Sequence, residues 1–414
     1  MNKKIKILWF CSDFLTEQKT TQTGTWLHTM SKGLVESGLV ELFNVTNGSN
    51  GHTFLDQDMT INQWILPRKK LNRKGIPNKK IIKDIQNIVL LVQPDIIHIW
   101  GTESYWGLLS ARNLINGKVL LEIQGLKFEI SKYFYKGLSK KELLSCINIK
   151  EILKPSVSIF SIKKAFSRWG TFEKEMILNH RYINTQSEWV RATVGRINKE
   201  AKIYNTLMLL RDEFYHAEKW NLHTCKRNSL FTITSEIISY KGLHVLFDAI
   251  AILKRDFPDI KLNIASNLTY GIRRGGYTRF LFRKIKRMGL TNNICWLGPL
   301  TAEQIVKELQ SANVVVIPSF VESYCMALEE AIFVGVPTVA SFAGAMPELG
   351  KNKETVSFFQ PGDVGMCAYE IIRILQNDDY ALKMSNKAFK SKLIRNNSLA
   401  IEQQIQIYQD LLNQ

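Results

Sequence analysis

The sequence predicts an α/β protein built from two doubly wound units, each on a mostly parallel sheet. Three observations predict this class. Short apolar runs alternate with helix-period patterns along the whole chain, its 414 residues exceed what one ordinary core accommodates, and the alternation restarts after a polar stretch near the middle. A hydrophobic fraction of 45% is that of a globular protein and excludes the disordered and fibrous classes.

The elements follow in order. Lys3, Lys4 and Lys6 surround the start of a short apolar run that has neither a long hydrophobic region nor a small-residue cleavage site. It therefore reads as a buried first strand, Ile5–Phe10, and not as a secretion signal. Further strands are expected at Val40–Val45, Ile96–Ile99 and Val119–Ile123, with helices at Thr25–Glu36, Lys79–Val92 and Ser104–Ile115 between them. Gly38 and Gly117 follow two of these helices at the place where a left-handed terminating residue is favoured. From about Ser131 to His180 the rhythm breaks into a helical insertion in which Tyr133, Phe134, Tyr135, Lys140, Lys141, Lys163, Lys164, Phe166 and Trp169 interleave. Two readings of this insertion stay open: a core-facing helix pair, or an interfacial surface that grips lipid or a lipid-linked acceptor.

The segment Trp220–Asn228 reads as a linker. Beyond it, strands are expected at Leu230–Ser235, Lys261–Ala265, Ile294–Leu297, Val314–Pro318 and Thr338–Ser341. Helices are expected at Gly242–Arg255, Thr278–Met288, Ala302–Ala312, Ala327–Phe333, Gly365–Gln376 and Ile401–Leu412. No stretch reaches the roughly 18 to 20 consecutive apolar residues of a spanning helix, so a cytoplasmic protein is expected. The six cysteines form no C-x-x-C pair, which argues against a disulfide framework or a zinc site and for buried, reduced thiols.

The net charge is +18, and two runs concentrate it: eight Lys/Arg against one acid from Pro67 to Asp84, and seven against none from Asn267 to Leu290. Nucleic acid is not expected as the partner, because no helix-turn-helix, zinc-finger or RNP-type motif accompanies the charge. An anionic membrane surface, or a merely solvated basic face, remains.

The most informative stretch runs from Val314 to Gly350. An apolar strand ends at Pro318-Ser319, a loop delivers Glu322, and a helix carries Glu330 eight positions on, about two turns in. Ligands of doubly wound sheets bind at the carboxyl ends of strands, so this loop and the one at Gly344-Ala345 should face one cleft. Backbone N–H groups of Ser323, Tyr324, Cys325 and Met326 at the helix start can bind hydroxyl or phosphate oxygens. A carboxylate accepts two hydrogen bonds from a sugar diol, although two glutamates near a helix start also serve simply as solvated partners of its dipole.

The order Pro318-Ser319, Glu322, Glu330-Ala331, Gly335, Pro337-Thr338-Val339-Ala340-Ser341, Gly344-Ala345 and Glu348 resembles the signature of family 4 (group 1) retaining glycosyltransferases, among them bacterial capsular and exopolysaccharide enzymes. Pro94-Asp95-Ile96-Ile97-His98, Tyr240-Lys241-Gly242-Leu243 and Ile294–Gly298 are similar to further segments of that family. The resemblance implies a GT-B fold: an acceptor-binding Rossmann-like domain over residues 1–220, a nucleotide-sugar-binding one over 221–395, a cleft between them, and a C-terminal helix over 396–414 returning to the first. It also implies retention of configuration, a nucleotide-sugar donor, no required metal or other cofactor, and a glycan or lipid-linked acceptor.

Carried over by position, the resemblance gives three candidate catalytic residues. Lys241 neutralises the diphosphate, Glu322 contacts the donor sugar, and Gln124, with Gly125, stands where a His-Gly pair is common. Donor contacts are expected from Glu330 at the ribose, from Gly24 and Thr25 in the first glycine loop, from Ser235, from Gly298, and from Ser323, Tyr324, Cys325 and Met326. Ser235 and Glu236 stand where an arginine usually completes the diphosphate clamp, and Arg273 or Arg274 is the expected substitute. The expected reaction is a front-face displacement. Alternatives are a GT-B nucleotide-sugar epimerase, a non-catalytic polyanion-binding protein and a pseudoenzyme in polysaccharide assembly.

Overall fold

A computed structural model describes residues 4–15, 26–49, 51–57, 61–147, 149–153, 158–267, 275–391 and 397–414. Gly24, Thr25, Arg273 and Arg274 lie outside the described residues.

The expected two-unit α/β architecture is the one observed. Eight strands form the first sheet: β1 (Ile5–Phe10), β2 (Val40–Gly48), β3 (Phe54–Gln57), β4 (Asn62–Pro67), β5 (Ile96–Trp100), β6 (Val119–Glu122), β7 (Tyr182–Thr185) and β8 (Lys202–Asn205). Their order is β3-β4-β2-β1-β5-β6-β7-β8, parallel throughout except for the edge strand β3. β1 occupies the middle, and Ile7, Leu8, Trp9 and Phe10 are fully buried, as an apolar run covered by helices on both faces requires.

The second sheet holds β9 (Ser229–Ile233), β10 (Lys261–Ala265), β11 (Ile294–Gly298), β12 (Val314–Ile317), β13 (Thr338–Ser341) and β14 (Ser357–Phe359), all parallel, in the order β11-β10-β9-β12-β13-β14. The order reverses between β9 and β12. At such a switch point the loops leaving the two strands diverge and open a crevice at their carboxyl ends. Lys241 follows β9 and Glu322 follows β12, so the topology alone delivers both to one crevice.

Several parts differ from the sequence reading. β3, β4, β7, β8, β14 and the helix Asp378–Ser391 were not expected. The segment Trp220–Asn228 is not a loose linker: Trp220 is buried and its indole N–H donates to the Ala312 carbonyl at 2.7 Å. Leu210, Phe214 and Ala217 already belong to the second core. Five cysteines are buried, but Cys295 is exposed.

The insertion contains a 3-10 turn at Ser131–Tyr133 and helices at Lys140–Ser145, Ile149–Leu153 and Ile159–Leu178. It is a bridge between the cores. Phe134, Cys146 and Ile159 pack into the second core, whereas Met176 and Ile177, at the far end of the long helix, pack into the first. The last helix, Asn397–Leu412, lies on the first sheet. There the Tyr408 hydroxyl accepts from the Trp9 indole at 3.1 Å and meets His98 Nδ1 at 2.8 Å.

Candidate active site

The loop after β9 closes as a 3-10 turn over Ser239–Lys241 and ends at Gly242, whose φ is +75°. A Cβ at Gly242 would lie 2.0 Å from the Pro318 carbonyl oxygen, so only glycine lets this turn press against the end of β12. The Phe320 N–H donates to the Tyr240 carbonyl at 2.7 Å and fastens the same two loops. On the other side, Gly344 (φ +56°) brings its backbone so close that a Cβ would sit 2.0 Å from the Glu322 carbonyl oxygen, and the Ala345 N–H donates to that oxygen at 2.9 Å. Glu322 is thereby held by the backbones of its two neighbouring loops.

These constraints bring Lys241 Nζ to 2.7 Å from Glu322 Oε1, with side chains 21% and 12% exposed. Burial, the largest single influence, would push the Lys241 ammonium down, but the Glu322 carboxylate together with its other neighbours holds the ammonium above its ordinary range. The lysine is therefore a permanent cation at the mouth of the crevice.

The helix Met326–Val334 begins beside this pair. Its cap, Cys325, has φ +107° and makes no side-chain capping bond. The first turn closes from Leu328 and Glu329 back to the Cys325 carbonyl, at 3.1 and 3.3 Å. Helix geometry leaves the N–H groups ahead of them without an intrahelical acceptor, a natural seat for anionic oxygens. Burial pushes the Cys325 thiol far up, so it packs as a neutral group. Tyr324 is buried and Met326 half-buried at the same loop.

Glu330 is buried one helix turn and more below, and its Oε1 accepts from Arg211 Nη2 at 3.1 Å. Burial raises its carboxyl to about 7, with Arg211 opposing the rise. Arg211, whose guanidinium also lies 5.1 Å from the Phe214 ring centroid, was missed by the sequence reading, because a lone arginine between domains carries no motif. Ser235 is exposed in the loop after β9, and Gly298 (φ +80°) ends β11 with nothing within 4 Å of where a Cβ would stand.

Gln124 is placed in the other domain, at the end of β6. A Cβ on Gly101 would meet Glu103 and Gln124 at 2.2 and 3.1 Å, so these two side chains share the carboxyl edge of the first sheet. Glu103 also lines a cavity of about 270 Å³ with Ser12, Asn47, Arg68, Lys69 and Tyr105. Burial raises the Glu103 carboxyl, opposed by Lys127.

Two contacts clasp the domains. Ser187, which caps the helix Glu188–Ile197, donates its hydroxyl to the Ser323 carbonyl at 2.8 Å. Glu348 accepts from the Glu188 and Trp189 N–H groups at 2.7 and 2.8 Å, a carboxylate seated on the positive end of that helix. Among the described residues, no group of three His, Cys, Asp or Glu side chains is arranged to hold a metal ion.

Comparison with known proteins agrees with this geometry. The sequence profile of the family "Glycosyl transferases group 1" matches residues 218–391. The chain is 31% identical over 152 residues to MMP alpha-(1->4)-mannosyltransferase of Mycolicibacterium hassiacum, covering 36% of this chain and 35% of that one. It is 27% identical over 161 residues to protein CapJ of Staphylococcus aureus, covering 39% and 38%. The matched region thus spans little more than a third of the length of these curated relatives. Among solved structures, sucrose-phosphate synthase from Thermosynechococcus elongatus aligns over 99% of this chain and 100% of its own, with a TM-score of 0.75 at 15% identity. HepE of Anabaena, in complex with UDP and glucose, aligns over 98% and 99% with a TM-score of 0.67 at 14% identity. Both sheets and their switch points give the chain a GT-B fold, and its residues 218–391 are similar to the group 1 glycosyl transferases.

Proposed function

We propose that the chain is a retaining glycosyltransferase that moves a sugar from a nucleotide-diphosphate sugar onto a glycan or lipid-linked acceptor. We place it in cell-surface polysaccharide assembly, on the cytoplasmic side of a membrane to which it binds peripherally. Among the described residues no helix is long and apolar enough to cross a membrane.

The observation that carries the reading is the Lys241–Glu322 pair at the β9/β12 switch point, beside the open N-terminus of the helix Met326–Val334. Before the donor arrives, each residue is the other's counter-charge. An incoming diphosphate takes the ammonium of Lys241, and the released Glu322 carboxylate accepts hydroxyls of the donor sugar. Glu330 takes the ribose hydroxyls. As the bond from the anomeric carbon to the phosphate oxygen lengthens, charge grows on that oxygen, and Lys241 with the helix N–H groups stabilises it without a metal. The acceptor oxygen bonds to the anomeric carbon on the face the phosphate leaves, and its proton passes to the departing phosphate oxygen. Gln124 and Glu103, across the cleft, hold the acceptor hydroxyls. HepE, of the same fold, holds UDP and glucose, which supports a nucleotide-sugar donor here.

A thermal-shift screen against UDP-, GDP- and ADP-sugars tests this directly. A donor at about 100 times its Kd adds about 2.7 kcal/mol of stability, so one nucleotide class should raise the melting temperature. Absence of a shift with all three would contradict the reading. NMR of the product's anomeric signal then decides retention against inversion.

A further inference from the structure

The two basic runs lie far apart in sequence, and the insertion joins them in space. Against its long helix lies the first run: Arg168 Nη2 donates to the Arg73 carbonyl at 3.2 Å, and Gly75 is seated on the Phe172 ring. Against its short helices lies the second run, on the helix Gly276–Arg287, which carries five Lys/Arg and no acid. Lys284 Nζ meets Glu142 Oε1 at 2.9 Å, and Arg279 pairs with Glu151.

Those two pairings decide the charge of the surface. Between Ser131 and Arg168 there are nine Lys/Arg and two acids, Glu142 and Glu151. Glu151 is buried against Arg279, and Glu142 is drawn towards Lys284, which it shares with Asp248 at 2.8 Å, so the charges left most exposed on the insertion are positive: Lys140, Lys141 and Lys164 are exposed. Among these lysines stand large apolar side chains that the fold does not cover. Leu144, Ile152, Leu153 and Phe160 are 65, 67, 79 and 37% exposed. Phe160 and Lys164 are one turn apart, so they share one face of the long helix. Exposed leucines occur elsewhere too, Leu90 and Leu91 among them, but here four exposed apolar side chains share one insertion with exposed lysines.

We propose that this face, made by the insertion and flanked by both basic runs, docks on an anionic lipid bilayer. The exposed apolar side chains enter the headgroup boundary while the lysines stay with the lipid phosphates, as in an interfacial helix. The assignment rests on the reading that the protein works at a membrane, though not on its being a transferase. Because the insertion packs into both cores, the docked surface holds elements of both domains to the same plane.

Vesicle flotation without donor or acceptor tests it. The full chain should float with phosphatidylcholine vesicles containing phosphatidylglycerol, not with phosphatidylcholine alone, and recovery should fall as salt rises. Ile152→Ser with Leu153→Ser, and separately Lys140→Gln with Lys141→Gln and Lys164→Gln, should each weaken partitioning at least roughly tenfold. Leu178→Ser, about 27 Å along the helix from Phe160, should change nothing. Each variant's melting temperature should match the wild type, since the altered side chains are exposed. If the wild type floats with neither lipid, or equally with both, the membrane reading itself falls. If it floats and both insertion variants float equally well, the surface is wrongly assigned. A wild type that forms a dimer which the Ile152/Leu153 variant abolishes would make the patch a protein interface and overturn the proposal.

Discussion

At the scale of single residues, the site depends on side chains that are missing. Gly242 and Gly344 each let one loop approach another to a distance no Cβ permits, and between them they aim Lys241 at Glu322. Gly344→Ala must displace the Glu322 backbone, and a shift of about 1 Å at a reacting group can cost on the order of 100-fold in rate. A fall in kcat/KM of at least roughly tenfold is therefore expected, whereas Gly298→Ala, which meets open space, should show only backbone strain. Equal effects in steady-state assays would contradict this. The buried Glu330 gives a pH signature. Its carboxyl is raised to about 7, so it contributes stability that is complete below its ordinary value and is lost as pH rises towards 7. Glu330→Gln should flatten that part of the melting-temperature profile. Donor affinity should run the other way and strengthen as pH passes 7, because only the ionised carboxylate accepts from both ribose hydroxyls. In Glu330→Gln that dependence should vanish, and Glu330→Ala should weaken donor binding by about 1.5–3 kcal/mol.

At the scale of elements, the helix Glu188–Ile197 and the loop carrying Ser323 form the clasp between domains. Glu348→Gln keeps the size of the side chain but removes its charge from the helix terminus, a change of about 0.3–1 kcal/mol. It should raise the donor KM a few-fold with little change in the melting temperature; an unaltered KM would show that the clasp does not bear on donor binding. This clasp was legible only in part. Glu348 stood in the motif, but its partners, N–H groups on a helix of the other domain, leave no mark in the sequence. The same holds for Arg211. Central strands such as β1 and β12 were plain because they are largely buried on both faces: β12 is continuously apolar, and in β1 only Lys6 breaks the run. β8, with only partly buried and exposed positions, offered no such run, and β3 is a four-residue edge strand. The insertion was seen as helical; that it enters two cores was not, since which core a phenylalanine joins is decided by tertiary packing.

At the scale of the whole molecule, two sheets, a bridging insertion and a returning C-terminal helix set one crevice between domains. The motif order made the second domain readable from the sequence alone. The mutual pairing of Lys241 with Glu322 was not, because each was assigned a separate part of the donor. Under the proposed function, that pairing makes Lys241 the cation a donor diphosphate would capture, with Ser235 and Glu236 in the place of a second one. Its loss should exceed the roughly 0.2–1 kcal/mol of a surface ion pair. The measurement is calorimetric titration with the nucleoside diphosphate that the thermal-shift screen selects, comparing the wild type with Lys241→Met. A Kd weakened by at least about tenfold, or 1.4 kcal/mol, in a variant that remains folded is the predicted result; an unchanged Kd would contradict it and remove the diphosphate from Lys241.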